Sequence, residues 1–563
     1  MGPAELRALL AVPIATERAA PGSDSEREVF AATSMSTQVA RAGGWGLAGR
    51  SVLLLANFAA TPFTIRLLGP SSYGLWAIIQ AVLVWANLAE GGMGNATTKY
   101  GSECYSHGDG VGEATIVWTG LGFVLVATMS VALAVALGAH FLLSMLHVHG
   151  ALLEAGTWAL RVSCAAFVVG SLAATVNTAQ QVRLRWRQFT LFYTVSNLVA
   201  GVGVPLAIYL FSGGLVTAAV VGLLAQAINL LGLTWDGVHV QPKLLHPHFD
   251  RSTLRKLVSY GGMLTVANLV GVPLMTGERL FLGANASTTA VAYYAVAATV
   301  ATALLIIPEQ VMLPLLPALA RLESEGKMEE YRSLYKKSLS GMFLLVTPAT
   351  LLVALVAGPF LRLWAGPEYA AHGTELLLIV LVGVWAYALS CVTEAYLLSA
   401  AKTKTLAWLQ ALELGPYLGA AWVLTAKWGA VGAAVVWSSR LVLDCVARFV
   451  IVSRSTDLPW LPLSARRVRS LVAPALLGLG CLVTAFFTDG LGARAGAAAE
   501  LLVVYGAGVW CMVLTSRERQ GVISLFRDII GAEMSGRWNR FVHVYQAPLA
   551  GSGRQVGEPE HPL

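Results

Sequence analysis

The chain has 563 residues, of which 56% are hydrophobic and only 12% charged, with a formal net charge of +7. A soluble fold is roughly half apolar and a quarter charged, so this composition excludes soluble nucleic-acid binders, disulfide-stapled secreted domains and disordered or collagen-like chains. It describes a polytopic membrane protein, because about fourteen spanning helices of roughly 20 residues would absorb most of the apolar inventory.

Taken in chain order, residues 1–44 mix arginines with acids around a Pro/Gly/Ser-bearing stretch, and read as a largely disordered tail without a signal peptide. Apolar runs long enough to cross the hydrocarbon predict helices near 46–67, 73–89, 115–142, 157–179, 189–211, 214–235, 258–279, 290–318, 338–360, 374–400, 405–426, 429–447, 470–488 and 497–515. Beyond them, Val522, Phe526, Ile529 and Ile530 share a helical face with Arg519, Arg527, Arg537 and Arg540 nearby. That pattern predicts an interfacial amphipathic helix on an anionic inner leaflet, with a partner-binding helix as the alternative.

The loops sort by charge. The N-terminal segment, every second loop and the C-terminal segment hold 30 of the 38 Lys and Arg residues, whereas the alternate loops hold only Arg362, Lys427 and Arg494. Lys and Arg collect on the cytoplasmic side, so both termini are expected there, in a bacterial cytoplasmic (inner) membrane. The outward loops are short, which disfavours a membrane glycosyltransferase or polymerase working on the outer face.

The sequence also repeats. Ala56-Asn57-Phe-Ala-Ala-Thr-Pro62 returns as Ala267-Asn268-Leu-Val-Gly-Val-Pro273, and Gly214-Leu-Val-Thr-Ala-Ala-Val-Val221 as Gly429-Ala-Val-Gly-Ala-Ala-Val-Val436. Pro205 and Pro416 keep nearly the same offset, as do Arg66-Leu-Leu-Gly69 and Arg279-Leu-Phe-Leu-Gly283. Six spans separate the copies, so both enter the membrane in the same direction. The expected architecture is all-α: two parallel six-helix lobes, 45–235 and 258–455, joined by a cytoplasmic linker (236–257) around a central cavity. Two extra spans within 456–517 and a cytoplasmic tail (518–563) follow. Pro62 and Pro273, at equivalent places in the first helix of each lobe, are hinge candidates, since each removes a backbone hydrogen bond.

The run Arg66-Leu-Leu-Gly-Pro-Ser-Ser-Tyr73-Gly74-Leu-Trp76 is followed by Asn87-Leu-Ala-Glu90-Gly-Gly-Met-Gly94. Together they resemble the opening of bacterial polysaccharide flippases, the O-antigen and capsule-type members of the multidrug/oligosaccharidyl-lipid/polysaccharide exporter superfamily. Glu278-Arg279, Pro314 to Arg321 and Tyr396-Leu-Leu-Ser-Ala-Ala-Lys402-Thr-Lys404 extend the likeness over roughly 46–455. Glu90 stands where such flippases often have Asp, and the two extra spans are similar to those of lipid II flippases. The resemblance implies alternating-access transport of undecaprenyl-pyrophosphate-linked oligosaccharide to the outer leaflet for cell-surface polysaccharide biosynthesis, with polymerase or assembly proteins as possible partners. A multidrug or metabolite exporter of the same superfamily is the alternative, and an excess of arginine over acid facing the cavity would distinguish the two.

Charges inside spans are costly and usually face a cavity or a partner. Arg50, Asn57, Arg66, Arg161, Asn268 and Arg279 are candidates for binding a pyrophosphate head group, which guanidinium groups recognise in forked geometry. Glu309, Glu394, Glu278 and Glu413 are candidate ion-coupling carboxylates. Arg440 and Asp444, four apart, are expected to pair with each other. No G-x-x-x-x-G-K-[ST] run occurs, so no cofactor is expected and an ion gradient or membrane potential would drive transport. Gly44-Trp-Gly46-Leu-Ala-Gly49 matches a dinucleotide fingerprint by letter only, without a preceding strand. His147-x-His149 and His246-x-His248 lack companion ligands, six scattered cysteines form no C-x-x-C pair, and neither H-E-x-x-H nor G-x-S-x-G is found, so neither metal chemistry nor an enzyme is expected. The Asn95-Ala-Thr97 sequon falls on the expected cytoplasmic side.

Overall fold

The computed structural model describes the backbone over 24–456, 476–481, 483–484, 490–510 and 520, with side chains from about residue 53 onward. Within these limits every regular element is a helix. Nine helices among the described residues are long and apolar enough to cross a membrane, and the protein is a multi-pass membrane protein.

A single helical run, Asp24–Ala86, breaks at Gly69, whose φ of 75° and ψ of 165° lie outside the helical region. It therefore comprises α1 (24–68) and α2 (70–86). Helix thus covers 24–44, where the sequence reading has a tail without regular structure. The following helices are α3 (Met93–Ser106), α4 (Gly110–Met145), α5 (Gly150–Val176), the short α6 (Thr178–Val182), α7 (Trp186–Phe211) and α8 (Leu215–Val240). The second half continues with α9 (Arg251–Asn285), α10 (Thr288–Thr302), α11 (Ile306–Ser324), α12 (Met328–Trp364) and α13 (Pro367–Ser399). The run Thr403–Thr456 breaks at Gly429 (φ 55°, ψ −128°) into α14 (403–428) and α15 (430–456). The last described helix is α16 (Leu491–Gly508).

Local chemistry sets several of these boundaries. Asp109 accepts from the Gly112 amide at the start of α4, and Ser287 from that of Ala290 at the start of α10. Asp250 caps α9, accepting from the Ser252 and Thr253 amides and from both hydroxyls. The hydrogen bonds from Ser252 and Thr253 hold its carboxyl well below the usual carboxylate range. Pro62 and Pro273 lie within continuous helix, and in the run that contains Pro62 the non-helical backbone is at Gly69.

The chain forms two compact units. The first takes residues up to 346 together with 356–456; the second takes 347–355 and the residues beyond 456. Within the first unit, α2, α4, α5 and α8 share an apolar core around Leu75, Ile79, Leu143, Leu160 and Leu215. Its second half is organised by α13, which packs against α10, α11 and the α14–α15 pair. Leu274 of α9, Tyr417 and Ala421 of α14 and Val436 of α15 form a further cluster. In the second unit Arg494 donates from Nη1 to the Leu355 carbonyl at 3.3 Å. The expected spans near 470–488 and 497–515 are described only in part, and the amphipathic segment after 520 lies outside the described residues.

Candidate functional site

Small side chains open a cavity in the first half of the chain. Ala166, Gly170, Ala173 and Ala174 on α5, Ala200 on α7, and Ala218, Ala219 and Gly222 on α8 face a space of about 730 Å³, within the usual range for a ligand site. Gly170 leaves room for Gln226, whose side-chain oxygen would lie 3.1 Å from a Cβ at that position.

Carboxamides dominate the polar lining. Gln80 comes from α2, Asn87 from the turn after it and Asn95 from α3; Asn177 and Gln181 flank α5 and α6; Asn197 lies on α7, and Gln226 and Asn229 on α8. Asn268 of α9 is the lining residue from the second half of the chain. Trp76, Phe167, Phe189 and Tyr193 add aromatic surface, with the Phe189 and Tyr193 rings stacked at 5.6 Å. Among the described residues Glu90 is the one carboxylate in this lining, accepting from the Ser171 hydroxyl at 2.7 Å, and no Lys or Arg is part of it.

Charge is concentrated instead in the second half. Arg448 on α15 is buried and binds Asp444 through Nε at 2.8 Å and Glu394 of α13 through Nη1 at 2.6 Å. Ser390 donates to the other Asp444 oxygen at 3.1 Å. Arg440 lies 3.6 Å from Glu413 of α14, with its guanidinium over the Tyr417 ring. Tyr417 in turn donates to Glu278 at 2.7 Å, and Tyr294 of α10 donates to the other Glu278 oxygen at 3.0 Å. Arg279 stands 3.8 Å from Glu278. The result is a buried series of acids, bases and tyrosines running across α9, α10, α13, α14 and α15.

The sequence-selected residues divide between these places. Asn268 reaches the cavity, while Asn57 lies against Gly201 of α7, where an added Cβ would be 2.0 Å from its oxygen. Arg161 bonds to the Ala136 carbonyl at 3.2 Å and covers the Trp158 ring, an arrangement within α4 and α5. Arg66 donates to carbonyls at the end of α12. The side chain of Arg50 lies outside the described residues. Glu278, Glu394 and Glu413 all belong to the charge series, whereas Glu309 is exposed in the first turn of α11. The expected pairing of Arg440 with Asp444 is corrected: Arg440 turns to Glu413, and Asp444 pairs one turn further along with Arg448. Both spacings are i,i+4, and Arg448 wins because it reaches Glu394 as well as Asp444.

Sequence reasoning passed over Arg448 by assigning it to a loop, although its spacing from Asp444 marked it. Apart from Asn268, it also passed over the amides of the lining, each of them unremarkable alone. Among the described residues no group of His, Cys, Asp and Glu could hold a metal ion, and Cys104, Cys164, Cys391, Cys445 and Cys481 are free thiols.

Residues 64–374 match the family described as polysaccharide biosynthesis protein. The chain belongs to that family. A Shigella flexneri protein named for O-antigen transport is 25% identical over 407 residues, covering 71% of this chain and 94% of that protein. Among solved structures, the lipid II flippase MurJ in an inward closed conformation superposes with a TM-score of 0.63 at 10% identity, covering 82% of this chain and 97% of MurJ. An inward-facing multidrug resistance MATE family transporter of the MOP superfamily gives 0.61 at 15% identity, covering 72% and 94%. This polysaccharide biosynthesis family member therefore shares its fold with the lipid II flippase and with the MATE transporter of the MOP superfamily.

Proposed function

We propose that this family member carries a lipid-linked glycan, in the form of an undecaprenyl-pyrophosphate oligosaccharide, across the bacterial cytoplasmic membrane by alternating access. The amide-rich lining of the cavity carries this reading. Sugar hydroxyls both donate and accept hydrogen bonds, and a carboxamide offers two donors and an acceptor with two lone pairs. Of the expected arginines, Arg66, Arg161 and Arg279 are not part of this lining and the side chain of Arg50 lies outside the described residues; in this reading the cavity takes the glycan.

The fourteen-span, two-lobe arrangement, with both termini cytoplasmic, belongs to the same proposal. It is supported by the sequence repeat and by Gly214 and Gly429, equivalent in that repeat, which both stand at joints between successive helices. The series from Glu278 to Glu394 would couple transport to a proton or cation gradient. Its supporting observation is that ionisable groups are held within apolar helices at a cost that folding alone does not require.

A second reading, export of a drug-like or metabolic small molecule, is favoured by one observation: among the described lining residues the only charged one is the carboxylate of Glu90. The deciding experiment reconstitutes the chain in proteoliposomes and follows a fluorescent undecaprenyl-pyrophosphate oligosaccharide next to a cationic drug-like probe, with and without an imposed proton gradient or potential. Movement of the lipid-linked sugar is expected. Movement of the cationic probe alone would replace the first reading by the second.

A further inference from the structure

We infer that Lys99 is a ligand-operated latch at the end of the cavity nearest the linker: it ties α3 to α9 through Tyr260, and the pyrophosphate of the lipid carrier draws it away. The inference rests on the lipid-linked glycan reading and names a residue that meets the head group.

Lys99 Nζ stands 4.5 Å from the centre of the Tyr260 ring of α9 and 5.0 Å from that of its neighbour Tyr100, and the two rings meet edge to face at 6.0 Å. Of the many conformations open to a long side chain, this one reaches across to the second half of the chain.

The two halves meet closely around it. A Cβ at Gly261 of α9 would fall 2.3 Å from the Gly91 carbonyl oxygen, and one at Gly92 would fall 2.8 Å from that of Gly261, so the turn before α3 touches α9 through bare backbone. Met93 and Ala96 of α3, Ile116 and Val124 of α4 and Leu257 of α9 add an apolar cluster. Among these contacts Lys99 supplies the charge, and it is therefore the part that an anion can address. A cation over an exposed ring is held weakly, whereas a hydrogen bond from an ammonium to a phosphate oxygen is charge-assisted and about twice as strong as a neutral one. Lys99 is exposed, so an arriving head group can reach it.

Its position fits the same ligand. Asn95, one helical turn before Lys99 on α3, lines the cavity, and so does Asn268, two turns beyond Tyr260 on α9. The clamp therefore lies between the cavity and the start of α9, where Arg255 and Lys256 are also exposed. A pyrophosphate held at Lys99 places the sugars attached to it beside the amides.

The test uses the full chain in phosphatidylcholine nanodiscs and sugar-free undecaprenyl-pyrophosphate, with undecaprenol as the lipid that lacks phosphates. Lys99→Gln is expected to weaken binding of the pyrophosphate lipid about tenfold and to leave undecaprenol unchanged, and Lys99→Arg to keep the wild-type affinity. The latch itself is read at Cys104, a half-buried free thiol of α3 in a space of about 470 Å³ that Tyr100, Lys256 and Leu257 also line. Its alkylation rate follows from mass spectrometry of its peptide. Undecaprenyl-pyrophosphate should raise that rate several-fold in the wild type and not in Lys99→Gln, and Tyr260→Leu should raise it without ligand. Unchanged affinity in Lys99→Gln, an equal loss for undecaprenol, a Cys104 rate that the ligand does not raise, or a Tyr260→Leu rate equal to wild type overturns the inference. Discs containing phosphatidylglycerol separate the two sources of phosphate: if that lipid alone raises the Cys104 rate, the latch answers the bilayer surface and its assignment to the carrier falls. The transport reading is tested apart from this. If the lipid-linked glycan does not move in proteoliposomes while undecaprenyl-pyrophosphate binds through Lys99 and opens Cys104 to alkylation, that reading fails and the latch stands. Wild-type glycan movement in Lys99→Gln, with affinity unchanged, keeps the reading and removes the latch.

Discussion

Arg66, at the end of α1, donates from Nη2 to the Leu363 carbonyl at 2.7 Å and to that of Trp364 at 3.4 Å, almost 300 residues later in the chain. The last carbonyls of a helix lack intrahelical partners, so the C-terminus of α12 presents a ready acceptor with the negative end of its dipole. Trp364 reciprocates: its indole N–H donates to the Phe58 carbonyl at 3.2 Å, and its ring stacks on Phe58 at 4.8 Å. These contacts join the two halves of the chain at the end whose loops are poor in Lys and Arg.

Removing this guanidinium should loosen that end. Arg66 is exposed, so its bond contributes modestly, of the order of 1 kcal/mol, which corresponds to a shift of about five-fold in an open–closed equilibrium. Arg66→Ala is expected to insert and fold normally but to open more often. The check is the distance between spin labels placed on α1 and α12: a broader, longer distribution than wild type is expected, and an unchanged one would assign Arg66 to anchoring alone.

A covalent clamp should do the reverse. Ser71 and Thr289 share a hydrogen bond at 3.0 Å between α2 and α10. In the double variant Ser71→Cys, Thr289→Cys, oxidation is expected to join the helices and stop transport, and reductant to restore it. Full activity in the oxidised, cross-linked protein would show that this contact does not open during the cycle.

The same junction depends on a missing side chain. A Cβ at Gly74 would fall 1.6 Å from the Thr288 carbonyl oxygen, so α2 and α10 approach through bare backbone. Gly74→Ala must push the helices apart, and a lower melting temperature is expected. Gly94, with open space around it, is the control: Gly94→Ala should leave the melting temperature near wild type.

The long helices were legible because a hydrophobic run of spanning length has few other fates, and most expected spans fall inside described helices such as α4, α5, α7 and α8. The joints at Gly69 and Gly429 fall where the apolar runs place the ends of successive spans, between 67 and 73 and between 426 and 429. The cavity was not. Asn177, Gln226 and Asn229 are isolated polar residues in apolar sequence, and only packing tells an amide that faces a cavity from one that bonds within its lobe. Arginine misled for a related reason. Arg161 and Arg66 are as charged as a head-group ligand must be, yet neighbouring carbonyls satisfy both.

The pairing at Arg448 makes a stability prediction. Its side chain and that of Asp444 are almost fully buried, and Glu394 completes the group. Removing the cation leaves two carboxylates facing each other without a counter-charge, which in buried pairs costs about 3–5 kcal/mol. Arg448→Met is therefore expected to lower thermal stability in detergent sharply, and the triple change with Glu394→Gln and Asp444→Asn to recover much of the loss. A stable single variant would mean that the carboxylates take up protons at little cost.

Glu278 offers the sharpest separation of structure from coupling. It is buried, accepts from Tyr294 and Tyr417 on separate oxygens, and has Arg279 at 3.8 Å. Glu278→Gln keeps the shape and one carbonyl acceptor but removes the exchangeable charge, so only one tyrosine bond needs to be remade through the amide. The variant is expected to fold, insert and keep gradient-independent exchange, while losing the acceleration by an imposed proton or cation gradient. Tyr417→Phe, which removes one donor and leaves the carboxylate, should retain that acceleration with a lower melting temperature. If Glu278→Gln still responds to the gradient as wild type does, coupling moves along the series to Glu413, Asp444 and Glu394, whose arginine partners lie on α15.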